Sequence, residues 1–294
     1  MDFTNLPRRN KTYAGANGSK ISVLLDGEQY MLKFPAVPSK NHEMSYTNSC
    51  VSEYLGSQIF NIIGVPAQDT LLGTFKKNGK EKIVVACKDF TSTEAVLQDF
   101  ASLKNTIIDS AYNGYGTELS DILTAIDEQQ AVDPYELKEH FWNMFIVDAF
   151  IGNWDRHNGN WGFLYNIRTD EMKIAPVYDC GSCLFPQADA DIMQATLDSQ
   201  DERNIRIFKL PTSGIKQNNK KINYFDFISS LEFDDCNDAL KRIVPRIDMD
   251  RINSLIDETP YITDLQKAFY KTMLLERKEK ILDKSLQLLG KKIH

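Results

Sequence analysis

Two aspartates and an asparagine, Asp155, Asn160 and Asp179, are the residues whose types and spacing could do chemistry. The first two lie in Asp155-Arg156-His157-Asn158-Gly159-Asn160, and Asp179 stands directly ahead of Cys180 and Gly181. Such a set suits phosphoryl transfer. One carboxylate, Asp155, would orient or accept the proton of an attacking hydroxyl. An amide, Asn160, and a second carboxylate, Asp179, would hold Mg²⁺, which neutralises charge on the phosphates. The competing reading is a polar surface loop before an ordinary hairpin, with each aspartate structural. The three residues together, in this order, favour catalysis.

Several elements must position them. Residues 161–165 are aromatic and apolar, 166–171 polar, and 172–178 apolar again. That pattern predicts a β-hairpin, which would return Asp179 to the end of the sheet where Asn160 sits. Ahead of the loop, Asp133-Pro134 predicts a helix start, with Asp as N-cap and Pro in the first turn. Leu137, Phe141, Met144 and Phe145 follow at helical spacing. Asp148, in the apolar end of that helix, reads as a buried acceptor for loop N–H groups and for His157. His157 joins the candidate catalytic set, as a hydrogen bonder that steadies the loop rather than as a base. Arg156 could contact phosphate or face water.

The N-terminal part offers the other half of a nucleotide site. Residues 12–20 are Gly-bearing, and Asp26-Gly27 separates two apolar runs, a hairpin signal. The backbone of Gly15, Ala16, Asn17, Gly18 and Ser19 could lie against phosphates, since Gly permits close approach. Lys33 ends the next strand and could reach the same phosphates. A helix over 50–63, closed by Gly64, carries Val51, Leu55, Ile59 and Ile62 on one face and Glu53 on another. Glu53 is the natural partner for Lys33. A second strand pair, 70–75 and 82–87, leads to a hinge over 84–90. There the backbone of Val85, Ala86, Cys87 and Lys88 would meet adenine.

These motifs carry a resemblance. Gly152-Asn-x-Asp155-x-His157-x-x-Asn160, followed by Ile174-Ala-Pro-x-Tyr-Asp179, resembles the signature of the HipA-like serine/threonine kinases. The Asp-x4-Asn spacing matches the protein-kinase catalytic loop, and Asp179-Cys180-Gly181 stands where its Mg²⁺-binding Asp-Phe-Gly would. The order Asp-Arg-His is shared with phosphatidylinositol kinases. The resemblance implies that residues 13–20 are the phosphate loop, Lys33 the nucleotide lysine, Glu53 its helix partner and 84–90 the hinge. It also implies ATP and Mg²⁺ as cofactors and a protein substrate. A serine upstream of the loop is autophosphorylated in the family, and Thr12 occupies that place. With little chain ahead of the loop, the sequence resembles shortened members. Those include a kinase that enters host cells and the short toxin of a three-component system. A toxin or effector role, with a small DNA-binding antitoxin as partner, follows from resemblance alone.

Size and composition agree. The 294 residues suffice for one large domain or two lobes. A net charge of −7 and a pI near 5.2 give no global field for nucleic acid, so direct binding to it is not expected. No run of about 18 apolar residues predicts a membrane span, and residues 1–11 lack an apolar signal core. Five cysteines without framework spacing suit a reducing bacterial cytoplasm. Delivery into a host cell stays compatible with this. Cys180-x-x-Cys183, without a second pair, is weak as a zinc site.

The expected architecture is α+β, a two-lobed protein-kinase-like fold. A small antiparallel β lobe over 1–89 carries one helix, and a mainly helical lobe over 90–294 carries the catalytic hairpin. Residues 100–130 read as helix, loop, helix. Residues 185–221 read as an activation or substrate segment, whose Lys216, Lys220 and Lys221 face either an acidic substrate or solvent. Helices follow over 224–231, 235–243 and 248–256, then one long helix over 262–289. Two other functions remain in view: a lipid or small-molecule kinase, and a binding module that has lost catalysis.

Overall fold

Tight turns build the N-terminal sheet of this computed structural model, which describes residues 1–13, 19–35, 48–108 and 113–292. Asp26 and Gly27 have φ of 50° and 83°, and Asn78 and Gly79 have 54° and 74°. Positive φ at both central positions gives a turn whose twist matches that of the strands it joins. Strands β1 (Arg8–Arg9), β2 (Lys20–Leu25), β3 (Glu28–Lys33), β4 (Thr70–Lys77) and β5 (Lys80–Lys88) follow. They form one antiparallel sheet in the order β1-β2-β3-β5-β4.

Alternation along β5 serves both faces of that sheet. Val84 and Ala86 join Phe3, Val23, Leu32 and Phe75 in a small outer core. Val85 and Cys87 turn the other way, into the main core. Helix α1 (Ser49–Ile63) covers this second face and ends at Gly64, whose φ is 85°. The single apolar face expected for α1 understates its burial. Ser52, Glu53, Gly56 and Ser57 are buried too, because the helix lies between the sheet and the large lobe. Gly56 permits the approach: a Cβ there would sit 2.8 Å from Cβ of Cys180 and from Sγ of Cys183.

The large lobe begins with β6 (Ala95–Asp99), α2 (Phe100–Ile107), α3 (Leu119–Glu128) and α4 (Pro134–Ile151), then β7 (Gly162–Asn166) and β8 (Glu171–Ile174). The expected hairpin is β7–β8, and β6 extends it to a sheet ordered β6-β7-β8. Helix α4 starts as the sequence predicts: the Asp133 carboxylate accepts the N–H groups of Tyr135 and Glu136 at 2.8 and 3.0 Å. From Phe141 to Ile151 every α4 residue is buried. Its Trp142 stacks on Phe227 and lies tilted against Phe233, and its Phe145 packs tilted or edge-on against Tyr224 and Phe227.

One expectation is filled in here and one is corrected. Residues 185–221, the expected activation or substrate segment, carry regular structure. They form α5 (Ala190–Asp198), α6 (Gln200–Phe208) and β9 (Thr212–Gln217), which pairs with β10 (Lys220–Asn223). After α7 (Tyr224–Ser230), α8 (Asp234–Ile243) and α9 (Met249–Glu258), the expected long helix is interrupted. A π-helical stretch, Lys278–Asp283, separates α10 (Asp264–Arg277) from α11 (Lys284–Lys292). No helix among the described residues is long and apolar enough to cross a membrane.

Candidate active site

The catalytic loop starts where α4 stops. Gly152 takes the left-handed conformation, φ 66°, and its N–H returns to the Asp148 carbonyl. Carbonyls at that buried helix end are satisfied by a cation. Arg277 is 1% exposed and donates to the carbonyls of Ala149 and Phe150, and to Arg206 in α6. A guanidinium at a helix C-terminus meets both the unpaired carbonyls and the negative end of the dipole.

Inside the loop, Arg156 is the organising residue. Its Nε donates to Asp148 Oδ2 at 2.9 Å, with both side chains at most 2% exposed. One Nη donates to the carbonyls of Asn160, at 2.7 Å, and Tyr178; the other reaches Cys180 Sγ at 3.6 Å. Neither expectation for Arg156, phosphate contact or solvent, holds. Its five donors bind α4, the catalytic loop and the Asp179 segment into one block, a task its planar fork suits. Asp148 is a buried acceptor, but for the side chains of Arg156 and Asn153 rather than for His157. Removing the cation would strand a buried carboxylate. Arg156→Met should therefore cost about 3–5 kcal/mol of stability, read from urea unfolding. An unchanged midpoint would show that the pair contributes nothing.

That scaffold holds Asp155 and Asn160 together. The Asn160 amide donates to the Asp155 carbonyl at 2.8 Å, and the Asp155 N–H donates to Asn153 Oδ1 at 3.2 Å. The Tyr224 hydroxyl clamps the Asn153 carbonyl at 2.6 Å. His157 turns inward, its Nδ1 accepting the Gly159 N–H at 3.0 Å, as a loop-steadying residue would. The Asp155 carboxylate accepts no hydrogen bond among the described residues, which leaves it available to an incoming hydroxyl.

Across the cleft, Lys33 joins the two lobes. Its ammonium lies 3.0 Å from Glu53 Oε2 and 2.9 Å from Asp179 Oδ1. The other Glu53 oxygen accepts the Cys180 N–H at 3.1 Å. A Cβ on Gly181 would stand 3.1 Å from Glu53 Oε2, so a residue without one keeps this approach open. Asp179 has φ of 59°, a conformation costly for a non-glycine residue and common at functional sites. Lys20, opposite Lys33 in the β2–β3 register, adds a second cation. Its influence on Asp179 was not anticipated from sequence.

The electrostatics separate the two carboxylates. Burial raises the Asp155 carboxyl above its ordinary value, and the Asp179 charge adds to this, against His157 and Lys221. Asp179 moves the other way, down to about 2, chiefly through the Lys33 ammonium. For Lys33, burial works to lower the pKa, but Asp179 and Glu53 outweigh it and hold it charged. Environments that push two carboxylates apart mark different roles: a group poised for a proton and a group kept ionised. A linkage prediction follows for the metal-free, nucleotide-free protein. Asp179 is depressed on folding, so its contribution exists above the unfolded-state pKa and fades as pH falls through the folded one. The difference in thermal midpoint between wild type and Asp179→Asn should be constant above about pH 5 and vanish near about pH 2.

The remaining candidates are placed unevenly. Gly15, Ala16, Asn17 and Gly18 lie outside the described residues. Ser19 is exposed, and its carbonyl accepts the Phe34 N–H at 3.2 Å. Val85, Ala86 and Cys87 lie mid-strand between β3 and β4, so their backbone groups serve the ladders on both sides. Lys88 donates its N–H to Asp69 and accepts from Gln68. The Asp89 N–H in turn donates to the Gln29 carbonyl at 2.8 Å, so the backbone is engaged through Asp89. Thr12 is exposed between two anchored neighbours: Lys11 lies 2.6 Å from Asp89, and the Tyr13 hydroxyl donates to Asp89 at 2.8 Å.

Known proteins resemble this chain in sequence and fold. Residues 9–259 match the model of the HipA-like C-terminal domain. The chain belongs to the HipA-like family. A relative within reach of it is the serine/threonine-protein kinase CtkA of Helicobacter pylori, 53% identical over 285 residues, 96% of this chain and 86% of that one. The crystal structure of a proinflammatory kinase CtkA from H. pylori superposes with a TM-score of 0.93 at 50% identity, covering 99% and 98% of the two chains. HipA from Shewanella oneidensis, solved with HipB and operator DNA, gives 0.52 at 14% identity, over 96% of this chain and 67% of HipA. That likeness concerns the fold. A HipA-like kinase fold, small antiparallel lobe and helical lobe, is what the chain adopts.

Proposed function

We propose that this site transfers the γ-phosphoryl group of ATP to a serine or threonine hydroxyl of a protein. The class is that of its relative at 53% identity: the chain is a serine/threonine protein kinase, and such an enzyme uses ATP. The residue roles are our reading. Asp155, with its carboxylate unengaged and its proton affinity raised, orients the acceptor hydroxyl and takes its proton. Lys33, fixed by Glu53, steadies the phosphates. That three-residue chain, Glu53–Lys33–Asp179 with both contacts at or below 3.0 Å, is the observation that carries the proposal.

Mg²⁺ fits the donors present. Asn160 commits its amide N–H to the Asp155 carbonyl, which leaves Oδ1 free, and Asp179 commits one oxygen to Lys33. One carboxylate and one amide suit an ion that keeps most of its oxygens for phosphate and water. When bound, the ion supplies neutralisation of the phosphate charge. We place the junction of the lobes near Asp89, with 1–89 and 90–294 as the two units.

Incubation with labelled ATP tests the reading. Label on serine or threonine of a protein supports it, and label confined to lipid overturns it. The lipid alternative rested on the order Asp155-Arg156-His157. Arg156 is buried packing, so that order reports loop architecture, not substrate. Phosphosite mapping of the expressed protein tests Thr12 as an autophosphorylation site. A toxin or effector role, and a small DNA-binding antitoxin as partner, are finer proposals that rest on family resemblance. Co-purification with a candidate antitoxin tests the second.

A further inference from the structure

The β9–β10 hairpin forms a fixed wall beside the catalytic loop. A Cβ on Gly214, in β9, would lie 3.1 Å from the backbone of Arg156. Tyr224, just past β10, holds the Asn153 carbonyl. At the tip, Asn218 and Asn219 have φ of 53° and 62°, and the Glu118 carboxylate accepts both N–H groups, at 2.5 and 3.0 Å. The hairpin is thus tied at its base, its middle and its turn.

Two lysines stand on this wall without internal purpose. Lys216 and Lys221 are directly opposite in register, so their side chains leave on one face. Both are exposed, and neither has an ion-pair partner among the described residues. Glu118, the nearest acidic anchor, has both oxygens engaged by the turn. Like charges facing each other across a strand pair weaken the hairpin, and no ion pair among the described residues offsets this. The pair also stands out as basic in a chain of net charge −7. Gly214, two residues before Lys216 in β9, packs on the backbone of Arg156, the residue after Asp155, which sets the hairpin beside the site; the Lys221 charge acts to lower the Asp155 carboxyl. Lys220 is paired with Gln217 and leaves on the opposite face.

We propose that Lys216 and Lys221 form a subsite for an acidic side chain of the protein substrate, flanking the serine or threonine that Asp155 orients. Two ammonium groups converging on one carboxylate would set the position of that side chain relative to the acceptor. The proposal rests on the protein-kinase reading and assigns that reading a substrate preference.

The test uses serine peptides in an all-glutamine background, with one glutamate walked from three residues before the serine to three after. The wild type should prefer one glutamate position by about tenfold in kcat/KM, the size expected for a close charge pair. Lys216→Ala and Lys221→Ala should shrink that preference ratio, through KM rather than kcat. Lys221→Glu should turn the preference toward a lysine walked through the same positions. Lys220→Ala, on the other face, should leave the ratio intact. All three sites are exposed, so unchanged thermal midpoints will confirm that the four variants fold. The proposal is overturned if the wild type ignores glutamate. It is equally overturned if the lysine variants lose kcat alike on every peptide, since Lys221 would then serve the transferred phosphoryl group. A wild type that labels no protein or peptide while turning over ATP would instead sink the protein-kinase reading itself.

Discussion

Asp155→Ala should lower phosphoryl transfer by about 10³-fold or more and leave nucleotide affinity nearly unchanged. The carboxylate is half-buried, takes no hydrogen bond among the described residues, and has its proton affinity raised by burial and by Asp179. A group so placed acts on the acceptor hydroxyl and on nothing that holds ATP. Its backbone, not its side chain, carries the contacts to Asn153, His157 and Asn160, so the loop should survive the change. Single-turnover rates and equilibrium nucleotide binding, measured on the same preparation, separate the two effects. A variant within about tenfold of wild type would remove Asp155 from the mechanism.

Asp179→Ala should be as damaging, about 10³-fold or more, but with a different signature. Asp179 is the one carboxylate in contact with Lys33 from the large lobe, and we assign it to the metal. Its loss should make nucleotide affinity insensitive to Mg²⁺, whereas Asp155→Ala should keep that sensitivity. Titrating a fluorescent ATP analogue with and without Mg²⁺ distinguishes them. If Asp179→Ala binds nucleotide with full Mg²⁺ dependence, the ion is held elsewhere and our assignment fails.

Much of this was legible in the chain because local chemistry determined it. Asp26-Gly27 and Asn78-Gly79 need positive φ, Asp133-Pro134 needs a free helix start, and each made its turn or cap in place. The Lys33–Glu53 pair was readable from strand-then-helix order, and the structure brings the two to 3.0 Å. Long-range partnerships were not readable. Arg156 serves Asp148, eight residues back, and Cys180, twenty-four ahead, and no local pattern marks an arginine as buried. Strand β6 exposes Leu97 and half-buries the polar Gln98, without the apolar-in, polar-out alternation that signals a strand. Val85 to Cys87, expected at the hinge, lie mid-strand, since a central strand and its outgoing edge share the same apolar residue types. The interrupted C-terminal helix kept its periodicity through Ile281 and Leu282, which remain buried in the π-helical stretch.

Gly56 carries one more implication. It lies one turn from Glu53 on the same side of α1, and it meets Cys180 and Cys183 with no side chain between. Glu53, which pairs with Lys33, and the segment we assign to the metal are therefore seated on one close contact. Any outward swing of α1 would part that seam together with the hydrogen bond from the Cys180 N–H to Glu53.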